Sequence, residues 1–437
     1  MFRIVGDAGA IWFYDPLNTK VFDANGVALN LLHATNAACS ATYTHPRVKR
    51  FEDAVGRDLS LNREDKHFAY DEKMTDLTIQ LGLNCNLSCI YCSQSNCHPE
   101  KSKIDLNDFL RRLKSSEINW ESLKVVQLWG GEPLVYWKHL RKIVEFVRKE
   151  IPEFKGQFHT TTNGSLLDME KARFFVENDV SIQLSHDGVN HKYQRTNDDW
   201  LDDPKKIEAV LYLLRDNRKG DVNMTFAPMF NPNLFDSLEL FDKKIPGVKV
   251  CCRSPLRCDS SNAHLMNLFT KENEAIARDS YYRLITLQPG DRFYEMTRPT
   301  RARLLWLCMN FVYGIHPKSI AFNCPSAQRY EMCFNLKGNF IPCHGSTEAM
   351  KCGSGNIDDL KSCFSTGFVS IANRPMCKGC LYTAICQGPC GMYGDVDAKI
   401  HCQSTKWAWA AWFDAVWKTI FGEKPVEIKE VGDVCFE

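Results

Sequence analysis

Cys85, Cys89 and Cys92 form a CxxxCxxC run just after the apolar, alternating stretch Leu77–Leu81. Three thiolates on one tight loop can hold three irons of a cubic 4Fe–4S cluster, because iron–sulfur cubes are bound by cysteine sulfur. A four-iron cube with three protein ligands keeps one iron open to another molecule. That open position is where chemistry would take place. Zinc is the competing occupant, but structural zinc sites pair cysteines as CxxC and take four protein ligands. Only Cys97 and His98 follow closely enough to keep zinc in consideration. The spacing favours iron and sulfide.

Further loops carry polar groups at the ends of apolar segments. Gly130 and Gly131, followed by Glu132 and Pro133, come directly after Lys124–Trp129. Paired glycines let backbone approach a ligand without Cβ interference, and Glu132 can accept hydrogen bonds from an ammonium group. Thr161, Thr162, Asn163 and Gly164 end the next strand, and Ser185, His186, Asp187 and Gly188 the one after. Either set alone is a turn signal. Arg195, seven residues beyond Gly188, is a candidate partner for a carboxylate.

Together these features resemble the radical S-adenosylmethionine (SAM) superfamily, whose signature is CxxxCxΦC with an aromatic Φ, here Tyr91. The resemblance implies that the open iron is chelated by the amino and carboxylate groups of SAM. One electron, delivered from a donor such as flavodoxin or ferredoxin, then splits SAM into methionine and a 5′-deoxyadenosyl radical that abstracts a hydrogen atom. Gly130, Gly131 and Glu132 are similar to the family's GGEP motif, which holds the methionine amine. Asn163, Ser185 and Asp187 are similar to its TNG and S-x-DG segments, which line the SAM pocket.

A second thiol pattern lies near the C-terminus, where eleven of the twenty cysteines fall between Cys324 and Cys435. Cys377, Cys380, Cys386 and Cys390 are preceded by Cys324 and Cys343 and followed by Cys402. This resembles the seven-cysteine pattern of SPASM domains, found in enzymes that mature peptides and proteins. The resemblance implies two auxiliary 4Fe–4S clusters, three in all with the SAM-binding one. Cys324, Cys343 and Cys390 would serve the inner auxiliary cluster, with Cys308 and then Cys333 as candidates for a fourth ligand. Cys377, Cys380, Cys386 and Cys402 would serve the outer one. Cys352, Cys363 and Cys435 fit no part of the pattern and read as packing thiols.

The elements that must position these residues alternate. Strand patterns at Leu77–Leu81, Lys124–Trp129, Gln157–Thr162, Val180–Ser185, Val222–Pro228 and Val248–Cys252 are separated by helical ones. The helices read as Leu106–Leu113, His139–Lys149, Leu167–Glu177 and Pro204–Arg215. Such alternation predicts an α/β fold with a parallel sheet. Six units match the partial (β/α)6 barrel that the resemblance implies, followed by a loop-rich SPASM domain. We expect a small N-terminal extension over 1–75, the radical SAM core over 76–255 and a helical linker over 256–322. The auxiliary-cluster domain with a closing helix would occupy 323–421, and a tail 422–437. In the extension, Ala10–Tyr14 and Thr19–Phe22 read as strands and Gly26–His33 as a short helix. In the closing helix, Trp409, Trp412, Phe413, Val416, Trp417 and Ile420 recur at helical spacing, a packing face.

At 437 residues with a net charge of +1, the chain is neither a polyanion binder nor an anionic-membrane binder by charge. The N-terminus shows no signal peptide and the Trp-rich stretch from Lys406 to Phe421 is broken by Asp414 and Lys418. Twenty cysteines without a secretion signal point to metal or redox use in a reducing cytoplasm rather than to disulfides. The leading expectation is radical modification of a peptide or protein side chain. Radical chemistry on a small molecule, nucleotide or nucleobase is the alternative, and a non-catalytic electron-transfer protein the third. Asp259, Asp279, Tyr281 and Tyr282 can act as bases in principle, and the sequence distinguishes none of them.

Overall fold

The computed structural model describes residues 1–16, 20–29, 74–92, 94, 104–195, 198–216, 222–226, 234–252, 258–268, 270–312, 331–346, 353–365, 374–377, 379–386 and 388–431. The chain begins with β1 (Phe2–Gly6), β2 (Ile11–Asp15) and β3 (Lys20–Phe22), an antiparallel meander. The segment Gly26–Leu29 is not the start of a helix, as the sequence suggests. Asp23 accepts from the Asn25 and Val27 amides, and Ala28 bridges back to Phe22.

The barrel then opens with β4 (Asp76–Gln80), followed by α1 (Leu106–Ser115) and β5 (Val125–Trp129). Next come α2 (Trp137–Glu150), β6 (Gln157–Thr162), α3 (Met169–Glu177) and β7 (Val180–Ser185). The short α4 (His191–Gln194) and α5 (Pro204–Asp216) lead to β8 (Val222–Phe226), α6 (Leu234–Lys244) and β9 (Lys249–Cys252). All six strands are parallel neighbours in chain order. Their helix-facing residues make the core: Leu77, Ile79, Val126, Leu128, Phe158, Ile182 and Leu184 are fully buried. Helix α1 is set by Asp105, whose carboxylate accepts from the Asn107 and Asp108 amides, a capping arrangement worth about 1 kcal/mol. Helix α6 was missing from the sequence reading, since its charged positions blur its apolar stripe.

After α7 (Lys271–Ile285) and α8 (Arg298–Val312), the chain adds a strand that the sequence reading lacks. β10 (Glu331–Asn335) lies parallel to β4, so the sheet has seven strands in the order β10-β4-β5-β6-β7-β8-β9. It is followed by a hairpin of β11 (Gly353–Asn356) and β12 (Asp359–Ser365). The short α9 (Thr383–Cys386) precedes α10 (Asp395–Phe421), the closing helix, which carries Cys402. The expected tail contains β13 (Pro425–Glu430), paired antiparallel with β1.

The described residues form two compact units that cut across the segments expected from sequence. One comprises those within Arg63–Arg257 and Asn323–Phe368, the barrel with β10 and the hairpin. The other comprises those within Met1–Asn62, Cys258–Phe322 and Val369–Glu437. The core of this second unit is aromatic. Trp417 packs edge-on against Trp12 with ring centres 5.7 Å apart, and near Tyr14 and Phe311 at 6.0 Å. Trp409, Trp412, Phe413, Val416 and Ile420 are buried with it, so the periodic face of α10 is a packing face. Among the described residues no helix is long and apolar enough to cross a membrane. Trp417→Ala should destabilise this unit by about 3–5 kcal/mol. Val396→Ala, on the exposed side of the same helix, should stay within about 0.5 kcal/mol. Chemical unfolding monitored by tryptophan fluorescence checks both.

Candidate active site at the strand ends

The cysteine loop leaves the C-terminal end of β4 and is fixed there by backbone contacts. The Leu81 amide donates to the Trp129 carbonyl at 2.7 Å, and the Gly131 amide to the Gly82 carbonyl at 2.9 Å. The Glu132 amide donates to the Asn84 carbonyl at 2.9 Å. These bonds need close approach. A Cβ on Gly130 would stand 2.5 Å from the Gly82 carbonyl oxygen, and one on Gly131 2.4 Å from that of Asn84. Gly82 itself has φ +145°, and its missing side chain makes room for the Tyr136 ring. The Tyr136 hydroxyl accepts from the Asn84 amide at 2.8 Å. The two glycines therefore make room for the chain's own backbone, which the sequence reading had assigned to a ligand.

Glu132 is buried and ties this turn to the next strand. Its Oε1 accepts from the Leu134 amide (2.9 Å) and the Thr162 hydroxyl (2.6 Å), and its Oε2 from the Asn163 amide (2.7 Å). Burial raises its pKa, and those three bonds work in the opposite direction. Asn163 reaches the cysteine loop directly: Nδ2 donates to Asn86 Oδ1 at 3.1 Å and points to the Cys85 sulfur at 3.9 Å. Its Oδ1 accepts from the Ser165 amide and hydroxyl, and Ser165 Oγ accepts from Asn86.

The third anchor comes from the end of β7. Tyr91 donates its hydroxyl to Asp187 Oδ2 at 2.5 Å, and Arg195 closes on the same carboxylate at 2.8 and 3.2 Å. The guanidinium also lies over the Tyr91 ring at 5.7 Å. Burial works against the Arg195 charge, but Asp187, Tyr91 and Cys89 together outweigh it and raise the pKa. Burial first, then Asp187, keeps Tyr91 a phenol. Arg195, expected to meet a ligand's carboxylate, is thus paired with Asp187. Ser185 is half-buried at the last position of β7.

Next to Asp187, His186 pairs with a second histidine, His191, to which the sequence assigns no role. The His186 Nδ1 accepts from the Gly188 amide at 2.9 Å, which puts its proton on Nε2, facing Asp199 Oδ1 at 2.9 Å. His191 stacks on it with ring centres 3.9 Å apart. The ligand atoms of His186, His191 and Asp199 lie within 4.8 Å of one another. A metal there would compete for a His186 ring whose two nitrogens are both already hydrogen-bonded. The group is a buried brace for the Asp187 loop. In the cysteine loop, burial pushes the Cys89 thiol up to about 12 and raises Cys85 as well.

The three thiols fit an iron–sulfur cube by these observations. Each of Cys85 and Cys89 feels the charge of Cys92, Cys89 feels Cys85, and all three are at least partly accessible. The Leu87 amide already points to the Cys85 sulfur at 3.4 Å, as toward a metal-bound thiolate. The match to the family model described as Radical SAM superfamily covers residues 79–243. The chain carries a radical SAM domain. It is a radical SAM enzyme with relatives among maturases. It is 23% identical over 339 residues to a cysteine-type anaerobic sulfatase-maturating enzyme of Clostridium novyi, covering 70% of this chain and 85% of that one. It is 19% identical over 354 residues to the radical SAM cyclopropyl synthase TigE of Paramaledivibacter caminithermalis, covering 73% and 68%. A GTP 3′,8-cyclase of Clostridium perfringens is 29% identical over 196 residues, 43% of this chain and 54% of the cyclase. A solved structure of anSMEcpe with bound AdoMet shares the fold, with TM-score 0.57 and 20% identity over 80% of this chain and 99% of that one.

In the second unit, Cys377, Cys380, Cys386 and Cys402 are neighbours by charge. Cys377 and Cys386 each feel Cys380 and Cys402, and burial pushes Cys377 up to about 11. In the barrel unit, Cys343 accepts from the Gly345 amide at 3.4 Å, and the thiol that feels it is Cys333. Cys308 is buried on α8 and Cys390 is half-buried. Cys363 is buried beside the Asn356 and Asp359 carbonyls, a packing thiol. Cys324, Cys352 and Cys435 lie outside the described residues. Of the acids and tyrosines between 256 and 322, Asp259 caps Ser261, Tyr281 accepts from Trp412, and Tyr282 lies under Lys424.

Two outcomes follow from this geometry. Gly131→Ala should push the Asn84 carbonyl aside, so that reconstituted protein loses iron from the Cys85 loop as well as SAM affinity. Iron analysis beside a SAM-binding titration checks this, and full iron with lost affinity would contradict it. The second concerns pH. Burial, then His186, holds His191 down to about 3, against about 6.5 in an unfolded chain. Below about 6.5 the unfolded state takes up a proton that the folded state refuses, so stability falls by up to about 1.4 kcal/mol per pH unit toward 3. Urea unfolding of the metal-free protein between pH 7.5 and 5.5 should show this slope, flattened in His191→Gln.

Proposed function

We propose that this radical SAM enzyme modifies a side chain of a peptide or protein, and that it carries two auxiliary 4Fe–4S clusters besides the SAM-binding one. The observation that carries the reading is the reach of the maturase likeness. It extends over 70% of the chain, beyond the segment 79–243, whereas the likeness to the two Clostridium perfringens cyclases covers 43% and 49%. A solved structure of anSMEcpe holds a Cys-containing peptide as well as AdoMet. Radical chemistry on a nucleotide is the second reading, supported by the cyclase relatives.

When bound, the cluster and SAM supply an electron and a carbon-centred radical that takes a hydrogen atom from the substrate. The chain's own residues hold and shield that chemistry. Cys85, Cys89 and Cys92 would ligate three irons. The Oε2 of Glu132 keeps lone-pair capacity for the methionine ammonium, and Asn163 and Ser185 offer hydrogen bonds at adjoining strand ends. Asp187 and Arg195 act through Tyr91 to hold the loop. Cys377, Cys380, Cys386 and Cys402 would hold the outer auxiliary cluster, and Cys324, Cys343 and Cys390 the inner one. Cys333, beside Cys343, takes precedence over Cys308 for its fourth position. An external one-electron donor, a flavodoxin or ferredoxin, would reduce the protein.

Anaerobically reconstituted protein should hold about twelve irons, four per cubane. Incubated with SAM, reductant and short peptides encoded beside its gene, it should give one peptide of altered mass. With that peptide deuterated at the reacting side chain, the label should appear in 5′-deoxyadenosine. Label transfer from a nucleotide instead would overturn the peptide reading.

A further inference from the structure

Arg374 precedes Cys377 by three residues and its side chain is fully buried. Its Nη2 donates to the Cys390 carbonyl at 3.1 Å and to the Tyr393 carbonyl at 2.8 Å. The other two nitrogens, Nε and Nη1, are buried and have no hydrogen-bond partner among the described residues. A guanidinium is a permanent cation with five donors in a rigid fork. Burying such a charge without an anion, and leaving donors unmade, is strongly unfavourable. No carboxylate among the described residues pairs with it. Its charge lies on the side that favours ionisation of the Cys377 thiol, three residues on.

Cys377, whose amide donates to the Arg374 carbonyl at 3.0 Å, is one of the four thiols Cys377, Cys380, Cys386 and Cys402 assigned to the outer cluster. A cubane bound by four thiolates is a net anion whose charge grows on reduction. Hydrogen bonds to its sulfurs and its exposure to solvent set the reduction potential. We propose that Arg374 is the buried counter-cation of the outer auxiliary cluster, donating its Nε–H and Nη1–H to cluster sulfur and raising the cluster's reduction potential. This rests on the assignment of those four thiols to a 4Fe–4S cluster. Bracing of two carbonyls needs only Nη2, so a purely structural arginine leaves the other donors unexplained. The residue acts on the cluster and not on the substrate, a positioning role.

The test is an EPR-monitored redox titration of the anaerobically reconstituted full-length protein. The outer-cluster signal is the one lost, with about four irons, from a Cys377→Ala, Cys380→Ala, Cys386→Ala variant. Arg374→Gln should keep wild-type iron and move that signal to a lower potential, leaving the SAM-binding cluster unmoved. Arg374→Lys, which restores the charge without the fork, should fall between. An unshifted outer potential in Arg374→Gln at full iron overturns the proposal while the cluster assignment stands. A triple variant that loses neither signal nor iron fails the assignment itself, and the proposal with it. Where Arg374→Gln cannot keep the outer cluster, its retention in Arg374→Lys upholds the counter-cation. Loss from both variants overturns it.

Discussion

The mouth of the barrel depends on one contact between two stretches of backbone. The turn at Gly130 and Gly131 lies so close to Gly82–Asn84 that no side chain fits between them. Because β4 and β5 are adjacent and in register up to Gln80 and Trp129, this contact fixes the base of the cysteine loop relative to the sheet. From there the constraint spreads strand by strand. Glu132 passes it to Thr162 and Asn163 at the end of β6. Tyr91, Asp187 and Arg195 pass it to the end of β7. A loop tied to three successive strand ends is held in one geometry before any metal arrives. Such supporting contacts are what keep a site precise.

Electrostatics adds a second consequence. Burial raises the pKa of Cys85, Cys89, Cys377, Cys386 and Cys402 alike. Thiols that are hard to ionise stay protonated until a metal takes the place of the proton, so cluster assembly releases protons and is favoured as pH rises. Both units use that arrangement, each with nearby cationic groups. Arg195 favours ionisation of Cys89, and Arg374 that of Cys377.

Much of this was legible in the residues because chemistry and periodicity point the same way. Alternating apolar strands between amphipathic helices specify the parallel sheet, and β4 to β9 lie where those patterns place them. The aromatic repeat of α10 specifies a buried face. Strand β10 was not legible: nothing local says that Glu331–Asn335 pairs with Asp76–Gln80. Nor was β13, whose partner β1 lies at the far end of the chain. At the site, thiol spacing identifies the cysteine loop, while the partners of Arg195 and the true neighbours of Gly131 are tertiary facts. The roles of Tyr136 and His186 were not legible, because a tyrosine after a turn and a histidine beside an aspartate carry no signal of their own.

The most direct measurement is 5′-deoxyadenosine formed from SAM under anaerobic reduction, with iron counted on the same samples. Wild-type protein should produce it. A Cys85→Ala, Cys89→Ala, Cys92→Ala variant should lose about four irons, keep the rest and form none. Continued 5′-deoxyadenosine formation by that variant, or wild-type protein that binds SAM with all its irons and cleaves none, would contradict the account.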